Sequence, residues 1–232
     1  MIEAHNQTIA TPSCLASYCL TFGAEGTGDT FTLDLTMNVQ LIDAAKRGDI
    51  PAVDALRKSG VDIIGSRDED GLTSILLACI NGHACLLEYL LEHGADANDQ
   101  EFYGGTCLLA AACYRHPECV RRLIEAGADT KYAYSGDNAT VVYMTVYCFV
   151  KDVEKNDGID FFQEGSVIST VELLLAAGAP GHVHVRQING SADKTALSVL
   201  KNLRSTMSVG VRGKVKRERA GLIDLLKNHE DP

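Results

Sequence analysis

The chain has 232 residues, 46% of them apolar, and a formal net charge of −10 at neutral pH. This length suffices to bury a substantial core in one large or two small domains, and the acidic balance argues against a general nucleic-acid binder. No uncharged apolar run reaches the roughly 18 residues needed to span a bilayer. The first Lys or Arg is Lys46, so a basic-headed secretory or mitochondrial targeting segment is not expected.

Residues 1–36 form a non-repeat segment rich in Gly, Ser and Thr. Phe31, Leu33 and Leu35 alternate with polar neighbours, so two readings stand: a loosely ordered tail, or a short strand at 31–35. The glycines between Gly23 and Gly28 have no following Lys-Ser/Thr and do not make a phosphate loop. Residues 1–45 carry five acids and no Lys or Arg, whereas 201–219 carry seven bases against Glu218. Eight cysteines sit mostly among Ala and Leu, as buried thiols do, which predicts a reducing cytosol or nucleus.

From residue 37 to the end the chain reads as one domain of recurring units, at about 39–69, 70–102, 103–136, 137–188 and 189–229. The first unit, LIDAAKRGDIPAVDALRKSGVD, turns solvent-facing Asp43, Lys46 and Arg47 outward, and Pro51 opens its second helix. The second, DGLTSILLACINGHACLLEYLLEHGADAN, predicts turn, helix, glycine turn and helix. Much of it recurs as YGGTCLLAAACYRHPECVRRLIEAGADT, with Thr73 and Thr106, and Gly94 and Gly127, each 33 residues apart. Thr73 and Thr106 suit helix N-caps, and Gly94 and Gly127 suit left-handed helix ends. The fourth unit runs from Thr140 to VELLLAAGAP with an insert near 151–165. The fifth runs from Thr195 to LIDLLKNH with an insert near 204–216.

This period and content resemble the ankyrin repeat, which implies an all-α solenoid of about five helix–turn–helix repeats joined by β-turn loops, with repeats four and five expanded. The family's Thr-Pro-Leu-His start is Thr-Ser-Ile-Leu at 73–76 and Thr-Cys-Leu-Leu at 106–109, without the proline and histidine. Their loss predicts a less rigid array. The resemblance implies a protein-binding surface on the turn tips and on the first helices after the small residues. In this chain those positions are Glu69, Asp70, Leu72, Ile80 and Asn81, then Gln100, Phe102, Tyr103, Cys113 and Tyr114, then Tyr134, Tyr147 and Cys148. Five aromatics thus fall on one concave face, open to two readings: partner anchors, or Tyr114 and Tyr147 packed on each other or on the insert. LLEHGADAN also resembles the pattern on which asparagine hydroxylases act, which places Asn98 as a modification candidate.

Residues 151–165 hold five acids and 201–217 six bases. Two readings remain, side-by-side attraction between the inserts and independent solvation. His182 and His184 alternate but lack further ligands, so no metal site is expected, nor any cofactor or catalytic constellation. The expected function is a monomeric, non-enzymatic adaptor that binds another protein offering basic or apolar anchor residues across repeats two to four, with no nucleic-acid or membrane partner. The alternative is a substrate receptor, inhibitor or host-directed effector that positions or blocks another enzyme.

Overall fold

The computed structural model describes residues 30–134, 139–155, 165–181, 195–201 and 209–229. Among these, ten helices follow one another in pairs: α1 (Thr30–Arg47) with α2 (Ile50–Lys58), α3 (Ser74–Asn81) with α4 (Ala84–Glu92), and α5 (Cys107–Cys113) with α6 (Pro117–Glu125). The series continues with α7 (Val141–Lys155) and α8 (Ser166–Ala176), then α9 (Ala196–Lys201) and α10 (Val209–Lys227). Odd-numbered helices stack on one another in one layer and even-numbered helices in the other. The result is an all-α solenoid.

Helices α3 to α6 have only seven to nine residues each, too short to hold in water by themselves. They persist because Leu76, Leu86, Leu87, Leu90, Leu108 and Leu123 are fully buried between the layers. Each such side chain contributes about 1.5–3 kcal/mol on burial. At the ends of α4 and α6, Gly94 and Gly127 take φ +95° and +87°, the left-handed region that glycine enters freely. There the amides of Ala95 and Ala128 turn back onto the carbonyls of Leu90 and Leu123 and close the helices (3.0 and 2.9 Å).

The N-cap expectation divides. Thr106 Oγ1 accepts from Leu109 N (3.1 Å) and caps α5 as expected. Thr73 makes no cap; its hydroxyl donates to Asp99 of the next turn (2.6 Å).

Three other expectations are corrected. Residues 31–35 are not a strand but the first turns of α1, which runs 18 residues. With Leu41, Ala44 and Ala45 buried and helical, extension toward the amino terminus adds one hydrogen bond per residue fixed, and this outweighs a short alternation. The insert near 151–165 begins later, because residues 151–155 continue α7, where Val150 and Val153 are buried one turn apart. Residues 209–216 of the basic stretch lie in α10, whose buried Val215, Leu222 and Leu226 recur at helical spacing. Residues 1–29, 156–164 and 202–208 lie outside the described residues, as do His182 and His184.

Two histidines absent from the sequence-based reading tie the units together. His83 Nε2 donates to the carbonyl of Lys46 (2.8 Å) and His116 Nε2 to that of Ile80 (3.0 Å). They stand 33 residues apart, each reaching into the preceding unit. Their rings lie so close to Gly48 and Gly82 that a Cβ at either position would meet the imidazole at 2.6 or 2.5 Å. The missing helix-start histidines are therefore matched by a different pair that performs a bracing role.

Burial lowers the His116 pKa below the ordinary histidine value of 6.5. Its contribution to stability is complete above that value and declines as pH falls through it toward the folded-state pKa. Replacing His116 by Ala is expected to lower unfolding free energy by about 1 kcal/mol in urea titrations at neutral pH, and to flatten the decline in stability toward pH 5.

Candidate functional site

The turns between units repeat a hairpin-like bridge. Arg67 pairs with Thr73 and Gln100 with Thr106, and the next turn lengthens into strands β1 (Ala133–Tyr134) and β2 (Ala139–Thr140). The first two tips are each fastened by a carboxylate of their own turn. Asp68 Oδ1 accepts from the amides of Asp70 (3.0 Å) and Leu72 (2.8 Å). Glu101 accepts from Tyr103 N (2.6 Å) and Gly105 N (2.7 Å).

Arg67 then clamps neighbouring turns. Its guanidinium pairs with Asp99 (2.6 Å) and donates to the carbonyls of Gly71 (2.7 Å) and Gln100 (2.8 Å). Asp99 also takes the Thr73 hydroxyl, so one carboxylate joins two units. Tyr132 donates its hydroxyl to Gly104 O (2.7 Å) from the following turn. Asn98 is exposed, and its side chain accepts from Asp129 N (2.8 Å) and donates to Gly127 O (3.4 Å). These links involve charges and hydroxyls far apart in sequence. Only the 33-residue spacing of Arg67 and Gln100 hints at them.

The candidate interface residues separate into two clusters. At the tips, Phe102 and Tyr103 are 67% and 73% exposed. The Phe102 ring lies against Gly71, the residue after Asp70, where a Cβ would sit 2.6 Å from it. Glu69 and Gln100 are exposed on the same edge. Leu72 and Tyr134 are half-buried and pack on the core. Burial, and then the charge of Glu101, pushes the Tyr134 phenol pKa up, which places it near the third-unit tip.

The second cluster lies at the other end of α5, about 10 Å along its axis. Tyr114 is half-buried there; burial and the neighbouring Cys113, Cys148 and Asp152 raise its pKa. Tyr147 packs partly on the core and stacks on Tyr143 (6.0 Å between centroids), with the Lys151 ammonium 5.6 Å from its ring. Among the described residues its ring partner is thus Tyr143 and not Tyr114, and Lys151, the first residue of the segment expected as the insert, lies over the same ring. Asn81 is exposed at the end of α3 and donates to Leu77 O (2.8 Å).

Arg115 completes this cluster. It occupies the place that Gly82 holds one unit earlier and adopts φ +64°, a left-handed backbone costing about 1–2 kcal/mol for a non-glycine residue. Its guanidinium is largely buried and pairs with Asp152 on α7 (2.7 Å). Asp152 thus faces back to the third unit, and Glu154 pairs with Lys151 (2.8 Å). The described acids of the 151–165 segment therefore do not reach the basic stretch of 201–217. In the reverse direction, Gly165 N donates to the buried Glu218 of α10.

The architecture has counterparts among known proteins. A family model described as ankyrin repeats, in three copies, matches residues 41–133. Residues 41–133 are thus ankyrin repeats. Relatives include the inactive serine/threonine-protein kinase TEX14 of Mus musculus, 30% identical over 102 residues (44% of this chain, 7% of that protein). Ankyrin repeat and SAM domain-containing protein 6 of Mus musculus is 36% identical over 87 residues (37% of this chain, 10% of that protein). Palmitoyltransferase AKR1 of Gibberella zeae is 34% identical over 63 residues (27% and 9%). The stretch shared with this chain is thus a tenth or less of each relative's length.

Among the described residues, no helix is long and apolar enough to cross a membrane, and no three His, Cys, Asp or Glu side chains cluster to hold a metal.

Replacing Asp152 by Ala leaves a buried guanidinium and should lower unfolding free energy by about 1–3 kcal/mol. Arg115→Gly also loses the pair but relieves the left-handed strain, so its loss in the same urea titration is expected to be smaller.

Proposed function

We propose that this chain is a non-enzymatic interaction module that holds another protein across the concave face and turn tips of repeats two to four. The observation that carries this reading is the pair Phe102 and Tyr103, large, exposed and held on a turn that hydrogen bonds make rigid. Rigid aromatics supply contact area without a large ordering cost, which is why they anchor interfaces. Tyr114, Tyr134 and Tyr147 extend the surface toward the first helices as partly buried supports, with Asn81 beside them. Glu69, Asp70, Leu72 and Gln100 form the rim, which suits a partner with basic or apolar anchors. Ankyrin repeats in general mediate contacts between proteins, and the matched segment contains the proposed surface as far as repeat three.

We further place the chain as a monomer in the cytosol or nucleus. Its described cysteines, Cys79, Cys85, Cys107, Cys113, Cys119 and Cys148, are free thiols, which accords with a reducing compartment.

Affinity capture with the wild type and a Phe102/Tyr103/Tyr114→Ala variant tests the reading. The expected outcome is a set of proteins retained by the wild type and lost from the variant. Melting temperatures should agree within a few degrees, because Phe102 and Tyr103 are exposed and Tyr114 is half-buried. Equal capture by both would remove these side chains from the interface.

A further inference from the structure

Resting on the interface reading above, we propose that Asp70, Phe102 and Tyr103 form a cradle for an arginine side chain presented by an extended segment of the partner protein. Phe102 lies against Gly71, the residue that follows Asp70, so an exposed aromatic ring and the residue that bears a carboxylate are brought together from different units. The Asp70 carboxylate has no hydrogen-bond or ion-pair partner among the described residues, and it is half-exposed. Its amide, by contrast, is held by Asp68, which fixes where the side chain starts.

The neighbouring charges are already engaged. Arg67, which would otherwise compete for Asp70, is occupied by Asp99 and by the carbonyls of Gly71 and Gln100. Asp68 and Glu101 accept backbone amides of their own turns, so they add negative potential without moving toward a ligand. What remains available is one carboxylate, one exposed ring and a second exposed ring next in sequence.

That combination matches a guanidinium better than an ammonium. A guanidinium is planar and weakly hydrated, so it can stack on the Phe102 ring while its N–H fork reaches Asp70. The aliphatic stem then lies along Tyr103. A lysine would bring only a point charge that holds its water more firmly. The cradle is assembled before binding: Glu101 holds the Tyr103 amide and Tyr132 holds the Gly104 carbonyl.

A random-peptide phage library panned on the purified chain supplies the probe. Enriched peptides should share an arginine. Replacing that arginine with citrulline, which keeps the shape and removes the charge, should weaken binding about tenfold. Asp70→Asn and Phe102→Ala should each give a comparable loss with an unchanged circular dichroism spectrum, and added salt should weaken the wild-type complex. The cradle is overturned if no peptide is enriched, if enriched peptides lack arginine, or if the citrulline form binds equally. Peptides that survive Asp70→Asn and Phe102→Ala but are lost on Tyr114→Ala overturn the cradle and leave the interface reading intact. Peptides insensitive to all three substitutions overturn both.

Discussion

Each helix pair depends on its neighbours. A helix of seven to nine residues forms too few internal hydrogen bonds to repay its nucleation, so α3 to α6 exist only because adjacent units bury their apolar stripes. The polar links follow the same direction. His116 reaches back to Ile80, Arg67 forward to Asp99, and Asn98 forward to the backbone at Asp129. Stability in such an array is close to a sum over units and the contacts between them. Loss of one bracing residue therefore weakens two units together.

The same bracing makes the turn tips suitable for recognition. An exposed aromatic on a mobile loop loses much of its binding free energy to ordering. Phe102 and Tyr103 avoid that loss because Glu101, Arg67 and Gly71 hold the turn that carries them. At the other end of α5 the solution differs. Arg115 keeps a strained backbone at a glycine position, and the ion pair with Asp152 offsets it. This draws the extended α7 back onto the third unit and sets Tyr114 and Tyr147 among partly buried, charged neighbours. The two clusters are consequently unlike: one exposed and acidic, the other half-buried with a paired Arg and Asp.

The family relationship covers the units whose period is regular. The match at residues 41–133 ends just as the turn at β1 lengthens. Beyond it, α7 and α8 keep the layering while α7 grows to 15 residues, and α9 shrinks to six beside an α10 of 19. Helix length varies in the later units, yet α9 still packs on α7 and α10 on α8. The apolar stripe facing the preceding unit is the feature that these helices share with α3 to α6.

The sequence by itself determined the period of 33, the helix pairing, the glycine ends at Gly94 and Gly127 and the exposure of Phe102 and Tyr103. These follow from local rules: apolar spacing, left-handed termini and turn composition each act within a few residues. Tertiary structure alone decided which polar groups meet across units. Thr73 turned from cap to inter-unit donor because Asp99 lies within reach, and His83 and His116 braced the stack because Gly48 and Gly82 leave room for a ring. It also divided the expected aromatic face in two, with Tyr134 and Tyr147 partly in the core, and made residues 31–35 helical. Contacts between residues some 30 positions apart depend on the distance between stacked units, and no local pattern in the chain encodes that distance.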